Sequence, residues 1–177
     1  HQVTGTARDG SAQVALDVAD AGQFGALSDY LGDGAVDLLV CNAGIYPDKG
    51  QSLEQGYGHE MWSETFAVNV TGVFLTVQSC LANLRRADGA RIAIISSLMG
   101  SDARAPGGSY VYRASKAAAL NLRRNLAADL KPEGIAVGIY HPGWVRTDMG
   151  GRMAAIGLDE AADGLVRRFD ALSPATT

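Results

Sequence analysis

Asp37-Leu38-Leu39-Val40-Cys41 runs through an unbroken apolar stretch straight into Asn42-Ala43-Gly44. Apolar residues without alternation read as a strand covered on both faces, the way strands of a parallel sheet are built. Arg91-Ile92-Ala93-Ile94-Ile95, ending in Ser96-Ser97, has the same character. So does Ile135-Ala136-Val137-Gly138-Ile139-Tyr140, closed by His141-Pro142-Gly143. Upstream, Val3 to Ala7 reads as the tail of a strand and Gln13 to Asp17 as a short buried one. Helical patterns separate these strands. Ala21 to Leu31 carries Phe24, Leu27 and Leu31 at helical spacing, with Asp20 as N-cap and Gly32 as stop. A Gly/Pro/Asp-rich loop from Ala43 to about Gly58 leads into a long helix from about Glu60 to Arg86. A further helix holds Tyr112 and runs to about Leu130, and Leu158 to Leu172 reads as the last. Strands alternating with helices imply a doubly wound, Rossmann-like α/β fold with a parallel sheet and right-handed crossovers. With no internal repeat, low-complexity tract or linker, residues 1–177 read as a single domain.

Composition narrows the function. The chain is 47% apolar and 19% charged, with a net charge of −4 and no Lys/Arg run, which argues against nucleic acid and anionic membranes as partners. No unbroken apolar run is long enough to span a bilayer, and the N-terminus lacks signal-peptide organisation. Cys41 and Cys80 form no Cys-x-x-Cys pair and read as buried free thiols in a reducing cytosol. His1, His59 and His141 show no metal-ligand spacing, so no metal site is expected.

A doubly wound sheet binds its ligand at the carboxyl ends of its strands. Three polar turns fall there: Asn42-Ala43-Gly44, Ser96-Ser97-Leu98-Met99-Gly100, and Pro142-Gly143-Trp144-Val145-Arg146-Thr147. Tyr112-Arg113-Ala114-Ser115-Lys116 adds a phenol and an ammonium four residues apart, on one face of a helix. A cation ~6 Å from a phenol, at an effective dielectric of ~20, favours the phenolate by about 2.8 kcal/mol, enough to make the phenol a working acid–base group. Asn69 lies within the apolar stripe Trp62, Phe66, Val73, Val77, Cys80, Leu84 of its helix. A buried amide must have its hydrogen bonds met. Asn69 therefore either ties down a neighbouring strand or supports polar machinery near Lys116.

Taken together, these residues resemble the short-chain dehydrogenase/reductase family, over most of the chain. Asn42-Ala43-Gly44 is similar to the family's Asn-Asn-Ala-Gly, with Cys41 in place of the first Asn. The resemblance implies a tetrad of Asn69, Ser97, Tyr112 and Lys116, with Ser96 as the fallback for Ser97 and Tyr110 excluded by its spacing from Lys116. It implies Asp17 and Val18 at the adenine, and Asn42, Ala43 and Gly44 beside the cofactor. Pro142, Gly143, Val145 and Thr147 would close over the nicotinamide, and Tyr112 and Lys116 would hold its ribose. Tyr-Arg-Ala-Ser-Lys and the stretch from His141 to Gly151 are similar to the C-factor and sniffer-like carbonyl reductase branch. The expected reaction is hydride transfer between a nicotinamide and a carbonyl or secondary alcohol. Arg8, a cation just past the second family strand, favours NADP, with NAD as the alternative. The resemblance also implies a homodimer or homotetramer built on the long helices.

The departures are equally specific. The family's Gly-rich turn, which cradles the pyrophosphate at a helix N-terminus, has no counterpart, since Asp9 and Ser11 stand where glycines are required. A strand–turn–helix of about 30 residues is expected before His1, and a further strand after Thr177. A chain lacking them would miss its central strand and bind cofactor poorly. That departure keeps a rival open: a non-enzymatic signalling or scaffold protein on a degraded dehydrogenase fold. An extended-branch epimerase or dehydratase is less favoured, because it needs a larger substrate domain. The loops Ile45 to Gly58 and Gly150 to Leu158, with Tyr46, Tyr57 and Met153, suggest a fairly apolar ligand.

Overall fold

A computed structural model describes residues 2–177, so His1 and its place in the histidine reading lie outside the described residues. Five strands follow the expected order: β1 Thr6–Ala7, β2 Val14–Ala15, β3 Leu38–Cys41, β4 Arg91–Ile95 and β5 Ala136–Tyr140. The helices are α1 Phe24–Leu31, α2 His59–Phe66, α3 Gly72–Leu84, α4 Tyr110–Leu130 and α5 Leu158–Asp170. All pairings are parallel, and the class is Rossmann-like α/β. The strands fall into two hydrogen-bonded groups, β1–β2 and β3–β4–β5, as expected of a parallel sheet without its central strand.

Helices cover both faces, and side-chain alternation shows which lies where. Cys41, Ile92, Ile94 and Val137 join Phe24, Leu27, Val77, Leu84, Ala127 and Leu130 in one core under α1, α3 and α4. Tyr140 lies on the opposite face, folded over Gly138, and meets Phe169 of α5 edge to face at 5.2 Å. On that face Val40 stays 40% exposed.

Local signals explain the ends of the elements. Asp20 caps a short 3-10 turn before α1 by accepting the Gly22 N–H at 2.9 Å, and Gly32 ends that helix at φ 49°. Asn83 fastens the next turn, donating to Gly32 O and Gly34 O at 2.9 and 2.7 Å. Cys41 and Cys80 are free and buried, and burial pushes their thiols up to about 12 and about 11.

The long helix departs from the expected regular pattern. His59 to Leu84 is continuous over 26 residues, but Ala67–Thr71 winds as a π turn between α2 and α3. By length and composition this helix could cross a membrane, which a search for an unbroken apolar run overlooks. Val73, Val77, Cys80 and Leu84 are spent on the protein core, the usual use of such a helix in a globular fold.

Candidate active site

The π turn carries Asn69, which is 1% exposed. An extra residue in a helical turn re-aims a side chain, and such turns cluster at functional sites. Asn69 Oδ1 accepts the Ile45 N–H at 2.8 Å, and its Nδ2 donates to Ile45 O at 2.9 Å and to Ser115 Oγ at 2.9 Å. Ser115 Oγ in turn donates to Tyr112 O at 2.8 Å. One amide therefore ties the loop after β3 to the helix that holds the phenol. Of the two alternatives for Asn69, the tie to a neighbouring segment is directly visible.

Lys116 and Asn69 converge on Gly44. A Cβ on Gly44 would lie 3.3 Å from both Asn69 Oδ1 and Lys116 Nζ, so a side chain there would press on both polar groups. Lys116 Nζ donates to Ile95 O at 3.2 Å. An ammonium has three donors, and the other two have no partner among the described residues. Burial pulls Lys116 down to about 8.

Tyr112 is 6% exposed, whereas Tyr110 is 40% exposed and packs edge to face on Tyr57. Ser97 supplies the opposing hydroxyl and lowers the phenol pKa by hydrogen bonding, while also accepting the Met99 N–H at 3.2 Å. Burial is the larger effect and leaves the Tyr112 phenol above its ordinary value, with Tyr46 and Asp48 adding to the rise. This corrects the expectation that Lys116 softens the phenol. Lys116 Nζ lies 5.6 Å from the Tyr112 ring centroid, but the downward pull on the phenol comes from Ser97.

The remaining positions divide clearly. Asn42 and Ala43 are exposed at the end of β3. Gly143, at φ 93°, packs on Ile156, and Val145 pairs with Ile156. Thr147 Oγ1 accepts the Gly150 N–H at 3.1 Å, closing a local turn after Pro142. Met153 is 84% exposed, while Tyr46 stacks on Tyr112 with centroids 4.2 Å apart. Arg8, Asp17 and Val18 belong to the β1–β2 unit, where Arg8 is exposed without an ion pair among the described residues and Asp17 accepts the Ala19 N–H. Val18 O lies 2.8 Å from where a Cβ on Gly72 would be, so it serves here as a packing surface for α3. Ser97 and Lys116 also line a cleft of about 410 Å³ that runs past Leu120 and Arg124 to Tyr140 and His141.

Two participants, Asp48 and Ser115, escaped the sequence reading, which placed Tyr46 only among the loop residues facing a ligand. Ser115 carried a usable signal, being three residues after Tyr112 on the same helix; Asp48 carried none.

The model of the short chain dehydrogenases matches residues 3–155. The chain belongs to the short-chain dehydrogenase family. It is 38% identical over 143 residues to C-signal of Myxococcus xanthus, covering 80% of this chain and 84% of that protein. The carbonyl reductase Sniffer of D. melanogaster superposes with a TM-score of 0.84 at 27% identity, covering 90% of this chain and 70% of that one. An NADPH-bound carbonyl reductase from chicken fatty liver superposes at 0.82 with 29% identity, covering 93% and 71%.

The donor set fits one half of a nicotinamide dinucleotide. Gly44 leaves space beside Asn69 and the Lys116 ammonium, and Lys116 and Tyr112 offer N–H and O–H groups suited to ribose hydroxyls. The pyrophosphate half is not matched among the described residues. Gly5, the first glycine of the chain, gives its N–H to Gln13 Oε1 at 2.8 Å beside β1 instead of forming an anion cradle.

Proposed function

We propose that this chain carries the acid–base centre of an NADP(H)-dependent oxidoreductase acting on a carbonyl or secondary alcohol. The observation that carries this reading is the convergence of Asn69, Lys116 and Gly44 beside the Ser97–Tyr112 pair. The NADPH-bound and carbonyl reductase neighbours support the choice of chemistry, and exposed Arg8 suits a 2′-phosphate. When bound, the dinucleotide supplies or takes up the hydride. The protein's own part is proton handling. Ser97 holds the substrate oxygen, and Tyr112 donates the proton to it in reduction or removes it in oxidation. Lys116 orients the ribose with its two free donors, and Asn69 holds the Ile45 segment and the Tyr112 helix in register. A phenol raised by burial stays protonated at neutral pH, which suits carbonyl reduction.

A small-molecule substrate, a homodimer or homotetramer using α2–α3 and α4, and a reducing cytosol that keeps both thiols free complete the reading. The test is NADPH binding by fluorescence, followed by NADPH oxidation against a panel of ketones and aldehydes. Binding with turnover supports the reading, and binding without turnover on any of them contradicts it. The relative named C-signal favours a second reading, a signalling protein on the same fold, for which NADPH binding would be absent and dispensable.

A further inference from the structure

We propose that Asp48 is a positioning residue for the Tyr112 phenol, fixing it from the buried side through the first turn of α4. The inference rests on the proposed role of Tyr112 as proton donor. Asp48 is fully buried, and its Oδ2 accepts the N–H groups of Val111 at 2.8 Å and of Tyr112 itself at 3.2 Å. Its Oδ1 is buried with no partner. The ordinary cap of α4 is missing: Ser109, just before the helix, is left-handed at φ 48° and makes no side-chain cap bond. Its hydroxyl is turned instead to the Tyr46 hydroxyl at 2.6 Å, and Tyr46 lies flat on the Tyr112 ring. Residues 46 and 48 of one loop therefore hold the phenol from its face and from its backbone.

A plain helix cap needs only a neutral acceptor. A buried carboxylate at this position also adds a charge that opposes loss of the Tyr112 proton. Facing the phenol are Tyr46 and Asp48 from the loop after β3, Ser97 from the turn after β4, and Lys116 on its own helix. The charged residues at the start of the neighbouring helix, His59, Glu60 and Glu64, are exposed, as are Asp102 and His141 on the other packed elements.

The test is the ultraviolet difference titration of Tyr112, the full chain minus its Tyr112→Phe variant, repeated in Asp48→Asn and Asp48→Ser backgrounds. Both substitutions keep a neutral acceptor for the first-turn N–H groups. Removing the charge removes one cause of the raised phenol, so the tyrosinate midpoint moves to lower pH in both. The alkaline limb of NADPH-dependent reduction moves with it. An unmoved midpoint in the folded variants overturns the inference. So does failure of both variants to fold, which would make Asp48 a folding residue only. If Tyr112→Phe keeps its turnover, the proton-donor reading fails instead, and the titration still decides whether Asp48 governs the phenol.

Discussion

A lysine buried to 5% exposure and pulled down to about 8 costs the fold stability. Folded Lys116 loses its proton near pH 8, while in the unfolded chain it keeps it to about 10.5. Unfolding therefore takes up a proton across that window, and the Lys116 contribution to stability rises with pH through it. Below the window the penalty is constant, on the order of 3 kcal/mol. Lys116→Met is expected to raise the urea midpoint at pH 7, with a smaller advantage at pH 10, while turnover is lost. An equal or lower midpoint at pH 7 would mean that the ammonium is better solvated than its burial implies. Asn69→Leu goes the other way. It leaves the Ile45 N–H and C=O unpaired, and each buried orphan costs about 1–3 kcal/mol, so thermal unfolding should show a fall in Tm of several degrees.

Two glycines set how closely the elements approach each other. A Cβ on Gly72 would fall 2.8 Å from Val18 O, and one on Gly100 2.6 Å from the backbone carbon of Lys116. At Gly72 the helix itself prefers alanine by about 1 kcal/mol, while the clash costs typically 1–3 kcal/mol. The clash meets backbone, which cannot rotate away, so Gly72→Ala is expected to destabilise in chemical denaturation despite its helix propensity. Gly100→Ala should do the same and also depress turnover, because it pushes the turn carrying Ser97 away from Lys116. The spacing Ser97-x-x-Gly100 is thus a packing requirement as well as a motif. This also explains what could be read in advance. Tyr112 and Lys116 lie on one helix, where spacing fixes the face, so their juxtaposition was legible, whereas the approach of Asn69 from another helix was implied only by the family resemblance. Asp48 and Tyr46 act from a loop whose path no periodicity encodes. The π turn at Ala67–Thr71 was equally hidden, since the apolar stripe on either side of it stays in phase.

At the scale of the molecule, the two strand groups differ in how they are held. β4 pairs on both sides and carries Ile92, Ala93 and Ile94 with no measurable exposure, whereas β1 and β2 pair two residues each. Native-state hydrogen exchange should therefore rank β4 slowest, then β3 and β5, with β1–β2 opening first. Equal protection of β1 and β4 would show that the two groups open as one unit. The order of strands and helices was legible from apolar runs and helical spacing. The break between the two groups followed from the family resemblance, whereas the pairing within each group was not legible, because parallel neighbours are chosen by three-dimensional packing.

The proposed proton donor is the Tyr112 phenol, opposite Ser97 with Lys116 behind it. The most direct test compares NADPH-dependent carbonyl reduction by the chain and by its Tyr112→Phe variant, with NADPH binding followed by fluorescence in both. The account predicts a loss of turnover on the order of 10²- to 10⁴-fold with binding largely retained; near-normal turnover in the phenylalanine variant would contradict it.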